Sequence, residues 1–213
     1  MAKILIIILI LFALFCAGYY YINKPTLTEE DFIAIDTSNE PGQYPLLSNE
    51  PFIINKKNMN LQITQLAQYN ISARVLSKKN YSDGWAGKIS PVDFALGWGD
   101  VSLLENLEHI KFKQIMRWYR YNYDATCPLT QDYIETHSSN HHIIPANPNI
   151  SKAIKSIKKS DIIELKGYLV NVYGTYKGKK VWWNTSLSRY DKGDGSCEII
   201  YVEKVKIGTK VYR

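Results

Sequence analysis

His137-Ser138-Ser139-Asn140-His141-His142 is the densest run of side chains able to do chemistry in this chain. A metal site needs its ligands on one side. In an extended segment His141 and His142 point oppositely, so only one of them can join His137. Neither an HExxH spacing nor a two-histidine-plus-carboxylate pattern is present, and no metal site is read. Ser138 or Ser139 beside a histidine has the composition of a nucleophile–base pair, but no GxSxG elbow accompanies it, so no catalytic residue is assigned. The reading adopted is a hydrogen-bonded loop in which Asn140 and the imidazoles satisfy backbone groups. The apolar Ile143-Ile144-Pro145 follows and must be buried, so Asn140 and His142 are expected to be buried and bonded to main chain. If the loop instead lines a pocket with Trp98 or Trp118, then His137, Asn140 and His142 become ligand-binding residues.

A second pattern interleaves cations with rings: Arg117-Trp118-Tyr119-Arg120-Tyr121 and Lys179-Lys180-Val181-Trp182-Trp183-Asn184. Oligonucleotide binders combine stacking rings with a basic groove, and sugar binders also expose rings. The competing reading sends alternate positions to the core. Arg117, Trp118, Trp182 and Trp183 therefore join Trp98 as candidates, and convergence of the rings on one groove discriminates between the readings. Asp191-Lys192-Gly193-Asp194-Gly195 has calcium-loop composition without the alternating ligands of an EF-hand, and reads as a glycine-rich hairpin turn. Of the three cysteines, Cys16 lies in the apolar N-terminus. Cys127 and Cys197 remain as a candidate disulfide closing a loop of about 70 residues. No cofactor is expected.

The elements positioning these groups read as mainly β. Ile71, Ala73 and Val75 alternate with polar neighbours, a strand period; residues 114–123 and 142–144 read as strands. The tail is β over 162–173, 180–187 and 197–206, with a turn at Lys177-Gly178-Lys179. Residues 82–100 read as a long ordered loop, 101–110 and 130–137 as short helices. Ile150, Ala153, Ile154 and Ile157 fall on one helical face opposite four lysines, which predicts a surface helix packed on a sheet, with Asn149 as its cap. The expectation is an α+β fold built on an antiparallel small barrel or twisted sheet, with the run 160–170 suggesting an OB-like strand.

That body stands behind an uncharged run, ILIIILILFALFCAGYYYI at 4–22, which is long enough to cross a bilayer. Cleavage after Cys16-Ala17-Gly18 is the rival, and the large Phe15 argues against lipidation of Cys16. The uncleaved anchor is favoured, with Tyr19–Tyr21 at the headgroup level. Lys3 and the terminal amine favour a cytoplasmic N-terminus, giving a single-pass protein of the inner (cytoplasmic) membrane with its body outside. Three parts follow: an anchor at 1–24, an acidic, proline-punctuated tether at 25–58, and a β-rich domain at 59–213. Residues 25–51 carry six carboxylates and no Lys or Arg, whereas 52–213 carry 24 Lys+Arg against 14 Asp+Glu. A basic body suits a polyanion or an anionic membrane face, although lysine is abundant throughout.

Several phrases, YNISARVLSKKNY (69–81), SPVDFALGWG (90–99), RWYRY (117–121), ETHSSNHHIIPAN (135–147), DIIELKGYLVNV (161–172) and GDGSCEIIYVE (193–203), resemble an uncharacterised family of bacterial exported or membrane-anchored single-domain proteins. The resemblance implies location and a single domain, and no activity, cofactor or residue role is carried over from it. The expected function is a membrane-tethered extracytoplasmic binding or assembly module of the cell envelope. Its partners would be the membrane through residues 4–22 and an envelope protein. The alternative is an OB-like binder of a polyanionic or sugar ligand, nucleic acid not being expected. The third reading is an envelope hydrolase using residues 137–142.

Overall fold

The computed structural model describes residues 2–48, 50–191, 193 and 195–213. It opens with helix α1 (Ala2–Asn23), apolar on every side and exposed from Ile4 to Asn23. At 1.5 Å per residue α1 is about 33 Å long, against a hydrocarbon core of about 30 Å. It is the one helix among the described residues long and apolar enough to span a membrane.

The segment expected to be a tether docks on the domain instead. Strand β1 (Glu29–Glu30) pairs with the C-terminal edge, and β2 (Gly42–Pro45) and β3 (Phe52–Lys56) both pair along β4 (Met59–Asn80). Its carboxylates find the basic body: Asp31 Oδ2 lies 2.7 Å from Lys206 Nζ, and Glu29 Oε1 lies 2.7 Å from Arg213. Opposite charge and free strand edges hold what the prolines and acidic residues made look loose.

Helix α2 (Gly84–Ile89) and strand β5 (Val92–Gly97) follow, then a 3-10 turn at Gly99–Ser102, α3 (Leu104–Leu107), and a hairpin of β6 (Ile110–Ile115) and β7 (Trp118–Tyr123). After α4 (Gln131–Thr136) come β8 (Ser138–Pro145), α5 (Pro148–Ser156), β9 (Ile162–Tyr176), β10 (Lys179–Trp183), β11 (Glu198–Ile207) and β12 (Lys210–Tyr212). Residues 82–100, expected as a loop, thus contain β5, buried at every position. A strand covered on both faces loses the period-two alternation that reveals strands.

Five strands close a ring in the order β4-β5-β8-β11-β9, with β9 returning to β4. The β8–β11 pair is parallel and the other ring pairs are antiparallel, so the twisted sheet is mixed. Taken as strands 1 to 5 in chain order, the ring runs 1-2-3-5-4 with helix α5 between strands 3 and 4. It is not a regular barrel. Register shifts interrupt β4 at Gln65/Ala67 and Val75/Ser77 and β11 at Val202/Lys204, and β2, β3, β10 and β12 extend the sheet beyond the ring. Such shifts bend strands and let so small a ring close. Gly167 is needed where β9 meets β11: a Cβ there would lie 1.8 Å from the Tyr201 carbonyl oxygen.

The ring interior is apolar, with Ile71, Ala73, Val75, Phe94, Leu96, Leu165, Ile200 and Val202 in one cluster. Helix α5 seals one mouth with Ile150, Ala153, Ile154 and Ile157, the face expected from their spacing. Its cap is Asn147, whose Oδ1 accepts from Ile150 N, rather than Asn149. Asn149 instead bonds Thr26 from both amide atoms, joining the domain to the chain just past α1.

Candidate functional site

The strand expected at 142–144 extends over residues 138–145 as ring strand β8, taking in the residues expected as a loop, and alternation sends its polar groups to two separate networks. Outside the ring, His142 Nδ1 lies 3.0 Å from Asp93 Oδ2, within ion-pair distance but misaligned for a hydrogen bond, and neither atom has another hydrogen-bond partner. Asp93 Oδ1 accepts from Arg117 Nη1 at 2.6 Å, and the guanidinium lies 3.8 Å over the Tyr81 ring. Trp183 packs on His142, with ring centroids 4.4 Å apart. Asn140 accepts from Gln114 Nε2 and donates to the Arg117 carbonyl. Asn140 and His142 are both buried, as expected. Asn140 does bond main chain, whereas His142 faces a carboxylate.

This network pins the β6–β7 hairpin, whose two turn residues, Met116 and Arg117, have φ of 52° and 71°. A two-residue hairpin loop of this hand favours Asn-Gly. Here Arg117 accepts the left-handed conformation because its carbonyl, N–H and guanidinium are all engaged, the N–H donating to Tyr81 Oη.

The second network lies inside the ring at the mouth away from α5. Glu198 heads β11, and its Oε1 accepts from Arg189 Nη1 at 2.9 Å. Tyr69 Oη sits 3.0 Å from His141 Nε2, and Ser139 Oγ 3.3 Å from His141 Nδ1. Arg189 lies over the rings of Tyr69 and Trp98. The segment after β10 delivers Arg189: Ser186 Oγ donates to Asp191 Oδ2 and accepts from Ser188 N, folding the chain back on itself. Burial pushes the Glu198 carboxyl up to about 7, outweighing the opposing Arg189 charge and the Ser139 hydroxyl, which lies close enough to the carboxyl to favour its ionised form. Burial, with Arg189 nearby, holds His141 down at about 3. Glu198 Oε2 and Trp98 Nε1 are buried with no hydrogen-bond partner, although both residues are only 1% exposed.

These two atoms belong to side chains lining a chamber of about 50 Å³. The chamber shares Tyr119, Glu135, Thr136, Arg189, Asp191 and Ser196 with a cleft of about 700 Å³ between the hairpin, α4 and the 184–197 segment. Trp118, Tyr121, Asn140 and Tyr190 also line the cleft. Burial raises the Tyr119 hydroxyl to about 12, and it donates to the Ser138 carbonyl.

The candidates therefore divide. Trp118 and Asn140 line the cleft and Trp98 lines the chamber, while Arg117, His142 and Trp183 belong to the pinning network. Trp182 is 67% exposed and lines neither. The three rings Trp118, Trp182 and Trp183 do not converge. His137 stacks on Tyr133 at 3.8 Å, and its Nδ1 contacts the Tyr133 carbonyl, so it packs α4. The candidate disulfide is not formed: Cys127 packs against the cluster of Leu76, Val101, Ile110, Phe112 and Ile134, while Cys197 sits against Asn140. Burial raises the Cys197 thiol to about 12, the range of an inert thiol. Of the glycine-rich 191–195 turn, Lys192 and Asp194 lie outside the described residues. Among the described residues no group of three His, Cys, Asp or Glu side chains is arranged to hold a metal.

Glu198 and Arg189 were missed. Glu198 carried a signal: it shares the inward parity of Ile200 and Val202, and a carboxylate on that parity must have a partner. Arg189, in the polar stretch SLSRYD, carried none. No protein-family model, curated protein or solved structure matches this chain.

Proposed function

We propose that this chain is a membrane-tethered binding module of the bacterial cell envelope, held on the outer face of the cytoplasmic membrane, with the cleft as its binding site. One observation carries the reading. Two fully buried side chains, Trp98 and Glu198, carry unpaired polar atoms and line a small chamber that shares walls with an open cleft. Buried polar groups in folded proteins are almost always partnered, and a pocket of several hundred Å³ with a few convergent polar groups is the usual form of a ligand site. The anchor supports the location: Lys3 precedes the span, and positive charge favours the cytoplasmic side. The hydrolase reading gains nothing from the histidines. His137 packs α4, His142 faces Asp93, and His141 stays neutral with a conjugate acid far too strong to accept a serine proton near pH 7.

Two measurements test the proposal. Alkaline phosphatase fused after Arg213 is active only if exported; an inactive fusion, with the protein present in the membrane fraction, ends the envelope assignment. A photoreactive amino acid at Tyr190, on the cleft wall, is expected to crosslink an envelope component in cells, while the same probe at Trp182 does not. Equal labelling from both positions would remove the cleft from the proposal.

A further inference from the structure

We infer that the ligand of the cleft is a neutral saccharide whose terminal hydroxyl enters the chamber between Trp98 Nε1 and Glu198 Oε2. The inference rests on the cleft being the binding site and narrows what it binds. The two unpaired atoms ask for different things. The indole N–H only donates, whereas the carboxylate oxygen accepts. A hydroxyl satisfies both at once, accepting from Trp98 and donating to Glu198. In its ionised form, which predominates above about pH 7, the Glu198 carboxylate repels the phosphate or sulfate oxygen that would answer the indole, and an ammonium suits the carboxylate but not the indole. Size agrees: about 50 Å³ holds a hydroxyl-bearing end group but no sugar ring, so the ring itself stays in the cleft above.

There it meets Trp118, Tyr119, Tyr121 and Tyr190, which give the apolar C–H faces of a pyranose a surface to stack on. Charge decides between the two ligand classes an OB-like fold brings to mind. Around the described lining, Lys111, Lys113 and Arg120 are countered by Asp132, Glu135 and Asp191, and at the floor Arg189 is spent on Glu198. A polyanion groove needs a surplus of unpaired cations, and this cleft offers balanced charge. The basic excess of the body lies elsewhere, in part on α5, whose Lys155 is exposed.

The test presents full-length protein in detergent, above about pH 7 where Glu198 is ionised, to immobilised neutral oligosaccharides of the gluco-, galacto-, manno- and N-acetylhexosamine series, with a heparin hexasaccharide and oligothymidylate as polyanions. At least one neutral series is expected to bind. Trp98→Phe, which keeps the ring and removes the N–H, should weaken binding roughly tenfold, the size of one lost hydrogen bond. Tyr190→Ala, at an 80% exposed position where folding is not at stake, should weaken it as well, and Trp182→Ala should leave it unchanged. If no neutral saccharide binds, the inference fails. If only the polyanions bind, and Tyr190→Ala weakens them, the ligand class is wrong while the cleft stands. If a saccharide binds but neither Trp98→Phe nor Tyr190→Ala affects it, both the cleft and this inference fall.

Discussion

The two mouths of the ring solve the same problem with opposite chemistry. At one, α5 lays Ile150, Ala153, Ile154 and Ile157 on the interior, closing it by apolar contact. At the other, Glu198, Arg189, Tyr69 and His141 form a polar plug that leaves Glu198 Oε2 and the neighbouring Trp98 Nε1 unpaired. Apolar closure is the cheaper solution: each buried aliphatic side chain contributes about 1.5–3 kcal/mol, whereas an unpartnered buried polar atom costs about 1–3 kcal/mol. A mouth that carries such a cost is the one where function is expected, and it is the mouth that opens to a cleft.

Breaking the apolar mouth should have the largest effect. Ile154→Ala opens a cavity under α5 and is expected to lower stability by about 2–5 kcal/mol while leaving the polar mouth intact, which denaturant unfolding measures. If it costs under about 1 kcal/mol, α5 is not the seal described. The pinning network beside the cleft comes next. Asn140→Ala strands Gln114 Nε2 and the Arg117 carbonyl, and a loss of about 1–3 kcal/mol is expected. An unchanged melting temperature would show that the strained hairpin turn is held by something else.

The smallest effect is in pH, and it sharpens the contrast because only the polar mouth titrates in this way. Folded His141 resists the proton that the unfolded chain accepts below 6.5, so stability falls as pH drops from about 6.5 towards 3. Folded Glu198 keeps a proton that the unfolded chain releases near 4.5, so stability also falls as pH rises from about 4.5 to 7. The opposed slopes place these groups' combined optimum between roughly 4.5 and 6.5. Melting curves across pH 4–8 should lose the acid limb in His141→Gln and the neutral limb in Glu198→Gln. Survival of both limbs in the two variants would mean these groups are not the buried titrating pair.

Part of this was readable along the chain. The spacing of Ile150, Ala153, Ile154 and Ile157 announced the sealing helix, and the alternation at Ile71, Ala73 and Val75 announced the ring's longest strand. Other parts were misread for stated reasons. The first half of strand β8 looked like a loop because its polar side chains, with partners on both faces, imitate the composition of solvent-exposed turns, and only 142–144 read as strand. The 25–58 segment looked free because its partners, Lys206, Arg213 and the open edges of β4 and β12, lie far away in sequence. Trp98, Trp118 and Asn140 were named as candidates from composition, but composition did not separate them from Arg117, His142 and Trp183, which hold the hairpin.

By itself the sequence determined what depends on local pattern: an N-terminal helix apolar enough to span a bilayer, a β-rich body, and the inward face of α5. These follow from residue period and hydrophobicity, which act over a few turns or one strand. Tertiary structure alone decided the closure of the ring, the parallel β8–β11 pair, and the meeting of Arg189, Glu198, Trp98 and Ser139 at one mouth. Ring closure sets strand partners by backbone hydrogen bonding between distant segments. Whether a polar side chain ends up paired, pinned or left facing a cleft is fixed only once those partners are in place.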